Sequence, residues 1–367
     1  MVKAFSQFVI TVLCLVLFGC VSDNALKVEL NMTPVEQSDG WEIGLPGDEG
    51  LDNLKLNAIY ENIFSEQDFF MTYSLLIVKN NKLVAEGYTQ DLNAIDRLVQ
   101  IKSVTKSILS LVFGIFLDEN PDIISDIKSP LKEEYIGKEH FIDGENSSLM
   151  TIEDLLTMRS GLAFDNGSDS KKMILSTDQK MPKFILSRAA VSDPGLTFNF
   201  SDGDAQLIAD LLFKLIPVSG LSFEAYVNDR LFEPLGIDDF IWEKHAWDTQ
   251  RPFGGFGLYL KPRDLARLGQ LVLNGGAWEG EQLVPKQWII DATNEYVSFD
   301  DGGYGYYWWV RDFGSMAYGE GGQAIYIVPE NDIVVVMTGN PFSNGLGASK
   351  EKIESVVTDI IRALDES

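Results

Sequence analysis

Cysteine and histidine are almost missing from this chain. Two cysteines, Cys14 and Cys20, stand in 367 residues, and both fall within the first twenty. Everything after them is therefore free of disulfides. The two histidines, His140 and His245, sit in neither a G-x-S-x-G nor an H-E-x-x-H setting. A Ser-His-Asp triad and a zinc site both lack support, and the pair reads as surface groups. Positive charge is scarce too: 29 Lys and Arg face 55 Asp and Glu, a formal net charge of −26. A surface this acidic repels phosphate backbones, which argues against nucleic acid as a partner. The acidic pairs Asp300-Asp301 and Asp202/Asp204 read as turn residues rather than calcium ligands. Internal repeats and low-complexity tracts are absent.

What is present is a folding composition, 45% hydrophobic and 11% aromatic. The length suits one large domain or two intimate ones. The first twenty residues stand apart. Lys3 gives a positive start, Phe8 to Phe18 is nearly unbroken apolar sequence, and Leu17-Phe18-Gly19-Cys20 closes it. This resembles a bacterial lipoprotein signal, cleaved before Cys20 with a lipid on its sulfur. The alternatives are an uncleaved anchor, or an ordinary signal peptide with an incidental cysteine. The run is short for a membrane-spanning helix. Residues 1–19 are thus expected to be a signal peptide. Residues 20–48, polar and broken by Pro34, Gly40, Pro46 and Gly47, are expected to be a tether, and 49–367 a folded body. The expected location is the cell envelope, with a lipid as the link to the membrane.

Hydrophobic periodicity orders the body. Leu51, Leu54, Ile59, Ile63 and Phe64 recur at helical spacing. Tyr73 to Lys79 and Lys82 to Tyr88 read as a hairpin about Asn80-Asn81. Ser103 to Leu117 is apolar nearly all round and predicts a buried helix. Thr151 is a candidate N-cap, and Pro262 to Leu273 predicts a helix stopped at Asn274-Gly275-Gly276. Tyr304 to Arg311, Met316 to Val328 and Asp332 to Thr338 are aromatic or β-branched and predict strands. Lys350 to Leu364 predicts a last amphipathic helix. This order predicts an α+β fold: one antiparallel sheet from both chain ends (about 49–100 and 290–367), flanked by terminal helices, with a helical lobe inserted over about 101–289. A cleft would form between the lobes.

At the start of the buried helix stands Ser103-Val104-Thr105-Lys106. Residues at i and i+3 share a helix face, so the Lys106 amine can reach the Ser103 hydroxyl. A serine is a poor nucleophile until a base takes its proton, and a desolvated lysine can be that base. The bland alternative is a capping serine with a solvated lysine, because the four-residue pattern is common.

Three further stretches accompany it: Thr151 to Leu162, Pro194 to Asp204, and Tyr318-Gly319-Glu320-Gly321-Gly322-Gln323. Gly257-Leu258-Tyr259, Arg263 to Arg267 and Tyr304 to Trp309 add to them. Together these stretches resemble the serine β-lactamase and penicillin-binding-protein superfamily, in its class C-like hydrolase branch with family VIII esterases and 6-aminohexanoate-dimer hydrolases. The resemblance spans about Leu51 to the C-terminus. It implies a β-lactamase-like fold, no cofactor, and a small ester or amide as substrate. It implies Ser103 as nucleophile, Lys106 as base, and the Ser103 and Gln323 N–H groups as the oxyanion hole. The glycines, Gly322 among them, would let substrate lie against the strand.

Two positions depart from the pattern. Phe200 stands where the family usually has a proton-shuttling tyrosine. Either Lys106 works alone, or another hydroxyl (Ser201, Tyr259 or Tyr318) substitutes, or the chain is a silent binding relative. Asp202, two residues on, is expected against Lys106, where a carboxylate would raise the lysine pKa. Glu320 takes the place of a group that holds a substrate carboxylate, and an acid would repel one. β-Lactamase and DD-peptidase activity are therefore not expected.

Overall fold

The computed structural model describes residues 32–65, 69–89, 92–131, 135, 149–175, 181–246 and 248–364. Cys14, Cys20 and His140 lie outside the described residues.

β-Branched and aromatic runs build one eight-stranded antiparallel sheet. Its strands are Thr72–Lys79 (β1), Lys82–Tyr88 (β2), Val297–Phe299 (β3), Gly302–Tyr304 (β4), Trp309–Arg311 (β5), Gly314–Gly319 (β6), Gln323–Val328 (β7) and Ile333–Gly339 (β8). Their order across the sheet is β3-β4-β5-β6-β7-β8-β1-β2, so the two ends of the body join where β1 pairs with β8. Asn80 and Asn81 turn the β1–β2 hairpin with φ of 52° and 63°, a conformation asparagine tolerates better than most residues.

Two longer strand expectations are each split in two. Met316 to Val328 breaks at Glu320-Gly321-Gly322, where the chain reverses. Tyr304 to Arg311 breaks because residues 305–308 leave the ladder for the helices. Tyr307, at φ 67°, donates its N–H to Leu156 O at 3.2 Å and accepts from Ser107 Oγ at 2.6 Å.

The helices are Asn53–Ser65 (α1), Val104–Glu119 (α2), Ile152–Leu156 (α3), Asp169–Ile174 (α4), Met181–Leu186 (α5), Asp202–Leu215 (α6), Phe223–Val227 (α7), Pro262–Leu273 (α8), Lys286–Ala292 (α9) and Lys350–Arg362 (α10). One sheet face is covered by α1 and α10, through Leu56, Tyr60, Ile353 and Val357. The other is covered by α8, whose Gly269 lies so close that a Cβ there would meet Val334 Cγ1 at 2.4 Å. This corrects the lobe boundary: α8 was expected in the helical lobe of 101–289, but its apolar stripe is spent on the sheet. Helix α2 is buried on every side, between α6 and strands β6 and β7, as its all-round apolarity requires.

The tether expectation also needs correction. Residues 32–48 are clamped to the body. Arg263 donates to Glu86 Oε1 (2.6 Å), Asp39 Oδ2 (2.9 Å) and Val35 O (2.6 Å), and Trp41 is buried. Main-chain bonds from Glu86 N to Met32 O and from Leu83 N to Glu42 O lay this segment along β2. It thereby covers the sheet's open edge, which would otherwise invite pairing with other chains. His245 is not a surface group either: it is buried beside Phe253.

Candidate active site

The lead-in to α2 is a tight turn. Lys102 has φ 51°, a region costly for a side chain with a Cβ and often kept only at functional sites. Val104, Thr105 and Lys106 then donate their N–H groups to Ile101, Lys102 and Ser103 carbonyls, starting the helix with a tightened turn. Ser103 remains partly exposed while Lys106, one turn on, is fully buried.

The Lys106 amine makes three short contacts. It lies 2.9 Å from Ser103 Oγ, 2.6 Å from Asp202 Oδ1 and 2.7 Å from Gly255 O. The Phe200 ring centroid is 4.7 Å from it, close enough for a cation–π contact. Four residues singled out from sequence, Ser103, Lys106, Phe200 and Asp202, thus meet at one nitrogen. Burial pulls the Lys106 ammonium below the ordinary lysine range, and the Asp202 carboxylate offsets this only in part. Desolvation is the larger effect because no water reaches the group.

Asp202 is held from several sides. Ser201 caps α6 by accepting from Asp204 N at 3.0 Å, which fixes Asp202 in the first turn. Ser170 Oγ donates to Asp202 Oδ2 at 2.7 Å. Asn166 accepts from Asp202 N at 2.8 Å and donates to Phe200 O at 3.0 Å. Gly255 is needed where it stands, since a Cβ would come 2.7 Å from Asp202 Oδ1. Ser170, Asn166 and Gly255 were missed from sequence. No local pattern ties them to a lysine 50 or more residues away.

The Thr151 to Leu162 stretch positions this loop. Thr151 and Asp154 form a reciprocal capping box for α3. Asn199 donates its N–H to Met158 O at 2.8 Å and its side-chain amide to Leu162 O and Phe164 O. Ser160 Oγ donates to Asp204 Oδ1 at 2.8 Å. Burial pushes the Asp204 carboxyl up to about 7 against those hydrogen bonds.

The glycine-rich hairpin contributes differently from expectation. The residue pressed on Ser103 is Gly319, where a Cβ would meet Ile101 O at 2.5 Å and Ser103 N at 3.0 Å. Gln323, expected as the oxyanion donor, sits across the hairpin from Gly319 on β7. Its side-chain amide exchanges bonds with Gly339 N and O, at 3.2 and 2.7 Å, extending the β7–β8 ladder. Gly322 is not a substrate surface: it is buried, with the position a Cβ would take 3.1 Å from Ala348 N. Gly321 likewise makes room for Asn340 O. Glu320 is exposed at the hairpin tip, one residue beyond Gly319.

None of the reserve hydroxyls bonds to Ser103 or Lys106 among the described residues. Tyr259 OH donates to Glu243 Oε1 (2.9 Å) and accepts from Gln100 Nε2 (3.0 Å). Tyr318 OH donates to Ala348 O at 3.2 Å, and burial pushes it up to about 12. Phe200 stacks obliquely on Trp309 at 5.8 Å. Beyond it opens a cavity of about 550 Å³ lined by Phe198, Phe299, Asp300, Asp301, Trp309 and Lys350. Phe200 thus touches both the Lys106 amine and Trp309, one wall of this pocket.

A partly exposed serine at a buried helix start, a buried lysine beside it, and a glycine strand end against its main chain come together between a sheet and a helical layer. The chain belongs to the beta-lactamase family, whose description matches residues 61–354. It is 24% identical over 295 residues to the 6-aminohexanoate-dimer hydrolase of Paenarthrobacter ureafaciens, covering 72% of this chain and 71% of that one. A Bacillus anthracis protein provisionally described as a 6-aminohexanoate-dimer hydrolase shares the fold with a TM-score of 0.68 at 19% identity, over 91% of this chain and 89% of its own. The D-amino acid amidase of Ochrobactrum anthropi SV3 matches with a TM-score of 0.59 at 17% identity, over 84% and 98%.

Proposed function

We propose that this chain is a serine hydrolase that cleaves an ester or a short amide through an acyl-enzyme on Ser103. The observation that carries the reading is the 2.9 Å contact between the buried Lys106 amine and the partly exposed Ser103 hydroxyl. In its neutral form Lys106 takes the hydroxyl proton as Oγ bonds to the carbonyl carbon. The Ser103 N–H is one donor to the oxyanion, and the main chain at Gly319–Glu320, which lies against Ser103, replaces the Gln323 N–H as the second in this reading. The ammonium then returns its proton to the leaving group as the scissile bond breaks. Water repeats the cycle in reverse order and frees Ser103.

The 6-aminohexanoate-dimer hydrolase and the D-amino acid amidase among the chain's relatives support an amide as one substrate class. Glu320 at the strand end disfavours a carboxylate beside the reacting carbonyl. In this reading Cys20 carries a lipid and the enzyme works in the cell envelope; Cys20→Ser would then shift the protein from membrane to soluble fraction.

The 2.6 Å Lys106–Asp202 pair and the lost tyrosine hydroxyl favour a second reading, a catalytically silent binder. A fluorophosphonate probe separates the two. Labelling of the wild type but not of Ser103→Ala supports the hydrolase. No labelling of either supports the binder.

A further inference from the structure

Asp202 is tied to an amine and to a hydroxyl from two different helices, and only the amine belongs to the expected machinery. Lys106 approaches Oδ1 from α2, while Ser170 approaches Oδ2 from α4. Ser170 is buried, and the Asn166 side chain, one turn before it, grips the Asp202 and Phe200 main chain. The segment 166–170 thus holds both the acid and the aromatic ring that face the amine.

We propose that Ser170 is a positioning residue for acylation, its hydroxyl holding the Asp202 carboxylate so that Lys106 can give up its proton and act as base. This rests on the reading of Ser103 and Lys106 as nucleophile and base. When the lysine is an ammonium, it satisfies Asp202 Oδ1 itself. When the lysine is neutral, the buried carboxylate loses its cation and depends on its remaining donors. A hydroxyl bonded to a carboxylate is then at its strongest, since bonds to an uncompensated charge exceed neutral ones. Ser170 therefore stabilises the state with a neutral amine more than the ion pair. The proton balance closes: the Ser103 proton moves to Lys106 and on to the leaving group, Asp202 stays a carboxylate throughout, and Ser170 keeps its own proton.

Other titratable groups face this cluster. Asp204 lies further along α6, with Tyr304 and Tyr307 coupled to it. Behind Ser170, Asp169 pairs with Lys172 at 3.0 Å and Arg188 at 3.3 Å. Asp204 keeps its bond from Ser160, and Asp169 keeps Lys172 and Arg188, when Ser170 is altered, so a change in pH response reports on the Lys106–Asp202 pair.

The test is the pH profile of kcat/KM for p-nitrophenyl acetate in wild type, Ser170→Ala, Ser170→Thr and Ser170→Cys. The rising limb should move to higher pH by about one unit in Ser170→Ala, a loss of about tenfold below the limb with the high-pH plateau nearly kept. Ser170→Thr should restore the wild-type limb. A loss by the same factor at every pH, a downward shift, or an unmoved limb overturns the proposal. Should Ser170→Ala fail to fold, the weak donor in Ser170→Cys must give an intermediate shift, and an unmoved limb there is equally fatal. Activity surviving in Ser103→Ala would instead refute the underlying reading.

Discussion

Lys106 Nζ lies closer to Asp202 Oδ1, at 2.6 Å, than to Ser103 Oγ, at 2.9 Å. The amine is thus shared between an acid and the Ser103 hydroxyl. Burial and the carboxylate act on it in opposite directions, and burial is the stronger.

That competition gives the first prediction. Asp202→Asn keeps an oxygen for Lys106 and an amide for Ser170, but removes the charge. Desolvation then acts on the amine unopposed, so the neutral form appears at lower pH. The rising limb of kcat/KM should move to lower pH, with a gain of about tenfold at pH values on the wild-type limb. An upward shift in the p-nitrophenyl ester profile would contradict the assignment of Asp202.

Phe200→Tyr restores a hydroxyl beside Lys106 while keeping the ring on Trp309 and Tyr304. Turnover of a p-nitrophenyl ester should rise, and turnover of an anilide should rise more. An amine leaving group needs a proton donor more than nitrophenolate does. Unchanged or lower activity in a folded variant would count against the reading of Phe200.

Gly319→Ala places a methyl 2.5 Å from Ile101 O and 3.0 Å from Ser103 N. The strand end must retreat from the nucleophile, which costs hydrogen bonds made to the oxyanion. Fluorophosphonate labelling should slow by about 10²-fold, with a smaller fractional effect on thermal stability. Labelling at the wild-type rate would show that β6 takes no part.

Asp204 yields a stability prediction. Its folded-state pKa of about 7 exceeds its ordinary 3.8. Its contribution is therefore complete below about pH 4 and is lost as pH rises through about 7. Asp264, raised by burial to about 6, has the same sign. Tm should fall between these limits, and Asp204→Asn should remove a part worth on the order of 4 kcal/mol. The same slope in wild type and Asp204→Asn, read by calorimetry, would contradict it.

Much of this was legible along the chain. The Asn80-Asn81 turn, the Pro262 start of α8, the all-round apolarity of α2 and the Ser103–Lys106 spacing each follow from local rules. The contact of Asp202 with Lys106 also followed, from the family pattern. What failed depended on distant partners. Residues 32–48 look like a linker because their polarity hides Asp39 and Val35 as ligands of Arg263. Gly321 and Gly322 look like a substrate shelf, yet a positive-φ turn packed under the Asn340–Ala348 loop requires the same residues. Ser170 and Asn166 carry no signature, because their importance arises only when α4 folds against α6.

Peptide mapping after an acid quench of a brief reaction with p-nitrophenyl butyrate tests the central claim most directly. The account predicts one butyryl group on the peptide that contains Ser103, absent from Ser103→Ala and from Lys106→Ala. A butyryl group on any other residue, or hydrolysis with no acylated peptide in either, would contradict it.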